Sequence, residues 1–167
     1  YDKIEEDGSI NDDYRIDYDL DGGSAPEGVT YPTTFNVDKK KTIVAPEKYG
    51  YTFAGWKYET GAQSGTTPAD YNGWSAGDVK ANITLTAQWT ANTHKVTFDG
   101  NGGTWTYNGQ PSVVRDAVAY DSLIKDQLPT DDPVRDDYEF DGWDGYTETM
   151  TMPDEDVTFT AKWKAIE

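Results

Sequence analysis

The chain has 167 residues, no cysteine, and 14 basic against 31 acidic side chains, for a formal net charge of −17. That charge disfavours nucleic acid and anionic membranes, since each needs a basic patch. The lack of cysteine excludes a disulfide framework and a thiolate metal site, and no apolar run reaches the length of a membrane span. The acidity is general, with 8 basic and 15 acidic residues up to Ala91 and 6 and 16 beyond it. This is the charge pattern of a soluble, self-repelling surface.

Residues 1–13 are acidic and show no apolar periodicity, so they read as a linker or a frayed end. The chain starts at Tyr1 without an export signal and is expected to be a fragment or a processed form of something longer. From Arg15 the pattern alternates strictly. Ile16, Tyr18 and Leu20 share one face, and Asp17, Asp19 and Asp21 share the other, as in a half-buried strand. The same three aspartates open like an EF-hand calcium loop, but the twelfth position is Gly28, where a bidentate Glu belongs. Asp17, Asp19 and Asp21 are therefore the metal candidates, and a solvated strand face is the competing reading. Gly22-Gly23 ends the strand in a turn. Residues 39–46 correspond by position to a short helix of the second half, but β-branched Ile43 and Val44 argue against a helix there.

Phe53 and Trp56 would face opposite sides in strict alternation. Gly55 between them is read as a bulge that restores the phase, the alternative being that each tryptophan covers the opposite face of the sheet. Asn72-Gly73 marks a turn beside Trp74. Ile83, Leu85, Ala87 and Trp89 then alternate with Thr84, Thr86 and Gln88, a strand pattern rich in β-branched and aromatic residues. A short junction at residues 90–94 contains the only histidine, His94, read as an ordinary linker side chain. Val96 and Phe98 open a second strand. Gly100-Asn101-Gly102-Gly103 repeats the turn, and Asn108-Gly109 is expected at a hairpin tip between residues 105–107 and 113–114. Asp121-Ser122 is placed to cap a short turn over residues 123–128 before Pro129. A looser acidic cluster follows at Asp131, Asp132, Asp136 and Asp137, read as a wet loop.

The later blocks restate the earlier ones. Tyr-Asp-Leu-Asp-Gly-Gly at 18–23 returns as Phe-Asp-Gly-Asn-Gly-Gly at 98–103. Tyr-Thr-Phe-Ala-Gly-Trp at 51–56 returns as Tyr-Glu-Phe-Asp-Gly-Trp at 138–143. Residues 83–89 return at 157–163, again ending in tryptophan. Spacers between the blocks differ in length, which places insertions in loops. The chain thus reads as a linker at 1–13, a first domain at 14–91 and a second at 92–167. The three ordered motifs resemble the Listeria–Bacteroides repeat, the B-repeat of internalin-type bacterial surface proteins, over nearly the whole chain. Asp21 departs from it, standing where the family usually has Asn. The resemblance implies two tandem, mainly β, β-grasp-like (ubiquitin-like) domains of an extracellular cell-surface or cell-wall protein. It implies a role in adhesion or display, and it brings no catalytic residues.

Repeated residues belong to the fold more often than to a reaction. The candidate binding residues are therefore the aromatics outside the shared blocks: Trp74, Trp105, Tyr107 and Tyr146. These are expected to be better exposed than Trp56, Trp89, Trp143 and Trp163, whose recurrence suggests packing. The expected function is a non-catalytic adhesive or stalk module, without a cofactor unless calcium binds. Its expected partners are host or neighbouring surface proteins, or glycans, with no membrane insertion and a monomeric fragment. The alternative is a carbohydrate-binding module working through the loop aromatics.

Overall fold

The computed structural model describes residues 14–35, 42–70 and 81–167. The chain divides into two compact units, Tyr1–Thr90 and Ala91–Glu167, and each is mainly β. The first holds β1 (Tyr14–Asp19), β2 (Thr34–Phe35), β3 (Tyr51–Glu59), β4 (Ser64–Thr66) and β5 (Ile83–Ala91), in the sheet order β2-β1-β5-β3-β4. The second holds β6 (Thr93–Asp99), β7 (Ser112–Ala119), β8 (Tyr138–Asp144) and β9 (Val157–Ala165), in the order β7-β6-β9-β8. A single asparagine, Asn92, separates β5 from β6.

In both units the first and last strands run parallel at the sheet centre. Ile16 lies beside Ile83 and Tyr18 beside Leu85, while Val96 lies beside Val157 and Phe98 beside Phe159. Central strands need apolar side chains on the covered face, and alternation supplies them. Ile16, Ile83, Leu85, Ala87 and Trp56 pack the first core. Val96, Phe98, Phe159, Ala161 and Trp143 pack the second.

The phase break at Phe-x-Gly-Trp is a bulge. The β8–β9 register skips between Phe140 and Trp143, leaving two residues of β8 opposite one of β9. Gly142 takes a φ of 89° and Gly55 one of 115°, a region open to glycine at little cost. The bulge brings both aromatics to one face. Phe140 and Trp143 meet edge to face at 5.1 Å, and Phe53 and Trp56 at 5.2 Å.

The closing tryptophans lock the first turns. Trp89 Nε1–H donates to the Leu20 carbonyl and Trp163 Nε1–H to the Gly100 carbonyl, both at 3.0 Å. The benzo edge of each indole abuts a glycine, Gly23 or Gly103, where a Cβ would overlap the ring.

Three local expectations are corrected. Asn108-Gly109 does form a turn, with Gly109 N–H donating to the Trp105 carbonyl at 2.7 Å, but residues 105–107 are not a strand, because Trp105 leaves the surface for the core. Residues Ile124–Gln127 form a 3-10 turn without a side-chain cap; Ser122 Oγ instead donates back to the Ala119 carbonyl at 2.6 Å. His94 is not a linker residue, since it lies inside β6. Residues 42–46 carry no helix, and residues 36–41 lie outside the described residues, as does the turn at Asn72-Gly73.

Candidate binding surfaces

The four loop aromatics are separated by their environments. Trp74 lies outside the described residues. Trp105, expected on the surface, is fully buried. Its ring stacks on Trp143 at 6.1 Å, and its Nε1–H donates to the Asp131 carbonyl at 2.9 Å. A fully buried indole with its polar edge engaged has nothing left to offer a ligand. It is core because the second unit lacks a tyrosine pair like that of the first, where Tyr18 stacks on Tyr31 at 5.1 Å and Tyr31 meets Trp56 edge-on. Tyr107 is 64% exposed. Tyr146 is half-buried and meets Phe159 edge-on at 5.9 Å. Desolvation, then the Glu148 and Asp126 carboxylates, push its hydroxyl pKa up.

The aspartates of β1 are committed locally. Asp17 pairs with Arg15 at 3.0 Å, and Asp19 Oδ1 accepts the Asp21 N–H at 2.9 Å, closing the turn. Asp99 and Asn101 repeat that turn bond at the same length. Among the described residues no three histidine or acidic side chains are grouped to hold a metal ion.

A cation–aromatic corner escaped the sequence reading. Lys48 Nζ sits 4.3 Å from the Tyr51 ring centroid and 5.8 Å from that of Trp89, and donates to the Asp21 carbonyl at 3.0 Å. Arg135 does the same over Tyr138, its guanidinium carbon 3.9 Å from the ring centroid. The signal was present as a basic residue three places before the tyrosine of each Tyr-x-Phe-x-Gly-Trp block. A groove of about 470 Å³ opens at the first corner, lined among others by Ser24, Glu47, Tyr49 and Tyr51. Tyr49, 74% exposed, has acidic Asp136 as its counterpart. The internal cations already cover Tyr51 and Tyr138, so the corner works mainly as a clamp, worth about 0.5–1 kcal/mol per contact.

His94 forms the other polar cluster. Its Nε2 lies 2.8 Å from Asp154 Oδ1 and its Nδ1 lies 3.6 Å from Asp156 Oδ1. Asn92 Nδ2 donates to the same Asp154 oxygen at 3.1 Å, and Lys95 N–H donates to Asp156 at 2.8 Å. In the first unit Asn82 Oδ1 accepts the Arg15 N–H in the matching way, also at 2.8 Å. The carboxylates close the sheet end.

In the second unit, a less polar groove of about 400 Å³ runs between the end of β8 and the start of β9, with Gly145, Met150, Pro153 and Phe159 in its walls.

The sequence of both repeats matches a known family model. The model for the Listeria-Bacteroides repeat domain matches residues 14–88 and again 94–162. The chain belongs to the Listeria-Bacteroides repeat family. Both repeats use the family's shared blocks for core, bulge and turn, as described above. Internalin H of Listeria monocytogenes is similar at 35% identity over 68% of this chain and 20% of its own length. A protein of Evansella cellulosilytica described as a Gly-rich membrane protein is 31% identical over 89% of the chain and 16% of its own length. The two repeats thus span a fifth or less of these relatives. A solved pair of streptococcal SHIRT domains from a cell surface protein aligns over 93% of this chain and 99% of its own, at 15% identity and a TM-score of 0.28. That overlap is too loose to define the fold. No helix among the described residues is long and apolar enough to cross a membrane.

Proposed function

We propose that the two repeats are a non-catalytic display module of an extracellular bacterial surface protein, acting as stalk or adhesive surface through protein–protein contact. One observation carries this reading. The aromatic and glycine residues shared by both repeats are taken up by core, bulge, turn or clamp, and the strongly exposed tyrosines, Tyr49 and Tyr107, lie outside the shared set. The relatives support a surface setting, as tandem modules occupying a small part of longer chains. Tandem copies add length and multivalency without a new fold. The strand order, with first and last strands parallel at the centre, supports a β-grasp-like domain.

The test is a screen of the two-repeat chain against host extracellular proteins and glycans, with a Tyr49→Ala plus Tyr107→Ala variant alongside. A protein partner retained at physiological salt supports the reading. A saturable glycan response lost in the variant overturns it in favour of a carbohydrate-binding module. No cofactor enters this function, so the melting temperature is expected to be the same in calcium and in chelator. A calcium-dependent rise reversed by chelator would make the repeats cation-stiffened spacers instead.

A further inference from the structure

The repeats differ at one point in the sheet. Aligned on the Gly-Trp pair, β3 continues three residues past Trp56, through Lys57, Tyr58 and Glu59, and then pairs with β4. β8 stops one residue past Trp143, at Asp144. Gly145 adopts a φ of 79° and turns the chain away, and no counterpart of β4 follows.

The start of β9 is thereby left without a neighbour on that side. The last β8–β9 pair is Asp144 with Thr160. The Ile166 N–H bond to the Asp137 carbonyl sets the parity of the ladder. It turns the even-numbered residues of β9 toward β8. A continued β8 would set Tyr146 against Thr158. Instead Tyr146 N–H donates to the Trp143 carbonyl at 3.4 Å. The Thr158 N–H and C=O therefore face the groove, with no backbone partner there among the described residues. Open strand groups of this kind are templates for an added strand.

The groove suits such an addition. Its volume of about 400 Å³ falls in the range of ligand sites. Phe159 forms a fixed apolar floor, and half-buried Met150 forms a wall of the type that adapts to varied side chains. The mouth is acidic. Asp144 is exposed in its lining, and Glu148 and Asp126 stand close enough to Tyr146 to perturb its hydroxyl. In the first repeat the strand itself runs on here: Lys57 and Tyr58 stand where the second repeat has Asp144 and Gly145, and Glu59 goes on to pair with Ser64 of β4.

We propose that the notch between β8 and β9 of the second repeat accepts an extended segment of another protein. That segment carries an apolar or aromatic side chain flanked by lysine or arginine, and pairs through its backbone with Thr158. The notch belongs to the second repeat alone and does not depend on whether the array serves as stalk or adhesin.

The test titrates the full two-repeat chain with a blocked peptide alternating lysine with valine and tyrosine, followed by amide NMR. Shifts and slowed hydrogen exchange are expected at Thr158, with shifts at Gly145 and Phe159. A peptide with proline at its centre cannot donate to the strand and should bind at least about tenfold more weakly. Asp144→Lys, on an exposed side chain, should weaken binding about threefold, the scale of one exposed ion pair. Met150→Trp should fill the groove and reduce binding while the amide spectrum elsewhere stays folded. Shifts centred away from Thr158, or equal binding of the proline peptide, overturn the proposal. Shifts at Thr158 that grow with protein concentration in the absence of peptide also overturn it, by naming a second copy as the occupant.

Discussion

Gly103→Ala isolates the contact between the closing tryptophan and the first turn. Gly103 is not at positive φ, so alanine there carries no backbone penalty of that kind. The added Cβ would overlap Trp163 Cζ2, stand 2.8 Å from Cη2 and 3.0 Å from the Val134 carbonyl oxygen. The indole has to move. Moving it costs the bond to the Gly100 carbonyl, about 1 kcal/mol, and the edge-to-face pair with Phe140, about 0.5–1.5 kcal/mol. Overpacking adds about 1–3 kcal/mol, and the stiffer unfolded chain returns about 0.4–1 kcal/mol. The net loss is about 3 kcal/mol, which lowers the melting temperature of a domain this size by about 12–24 °C. The assay is thermal and urea unfolding of the two-repeat chain, repeated in a Trp163→Leu background. There the indole clash is gone and only the 3.0 Å approach to the Val134 carbonyl oxygen remains, so the cost of Gly103→Ala should fall to about 1 kcal/mol or less. A loss under about 0.5 kcal/mol in the parent chain, or an equal loss in both backgrounds, would refute the reasoning.

Gly55→Ala should destabilise more than Gly142→Ala. Both bulge glycines have positive φ, but a Cβ at Gly55 meets the Thr67 carbonyl, whereas at Gly142 only Lys162 Cε lies near, at 3.9 Å; urea midpoints of the two variants compare them. Trp105→Ala should cost about 3–5 kcal/mol and Tyr107→Ala less than about 0.5 kcal/mol, read from the same curves. Alkali should loosen the first repeat. Burial, then the neighbouring Tyr31, raises the Tyr18 hydroxyl pKa, and burial, then Glu47, raises that of Tyr31. A raised folded value means that their stabilisation is complete below the unfolded pKa of about 10 and is lost as pH climbs through the folded values. Melting temperatures between about pH 9 and pH 11 should fall less steeply in Tyr18→Phe than in the parent.

Recurrence made much of this architecture readable. Trp56, Trp143 and the apolar members of β5 and β9 proved to be core, because residues kept in both copies had to serve what both copies share. The bulge was legible as a phase conflict between Phe140 and Trp143, with a glycine placed to relieve it. The same logic misled at Trp105. Lying in an unshared loop, it reads as surface, yet it packs on Trp143 as Tyr31 packs on Trp56 in the first repeat. Lys48 and Arg135 leave no mark in a global balance of charge, because their role depends on which ring lies beneath them. His94 could not be placed from its spacing, since its partners Asp154 and Asp156 lie about sixty residues away and meet it only through the parallel pairing of β6 with β9. The notch at Thr158 was hidden in two strand lengths that look alike until they are aligned on the Gly-Trp pair.

The parallel pairing of first and last strands also decides how each repeat bears load. Tension pulling on the start of β1 and the end of β5 drags two parallel neighbours past one another along their length. The bonds between them are then strained together rather than opened one at a time from an end. The pair of β6 and β9 meets force in the same way. Forced opening is governed by the unfolding barrier, so a module whose two exits lie on adjacent parallel strands resists extension more than its modest size suggests.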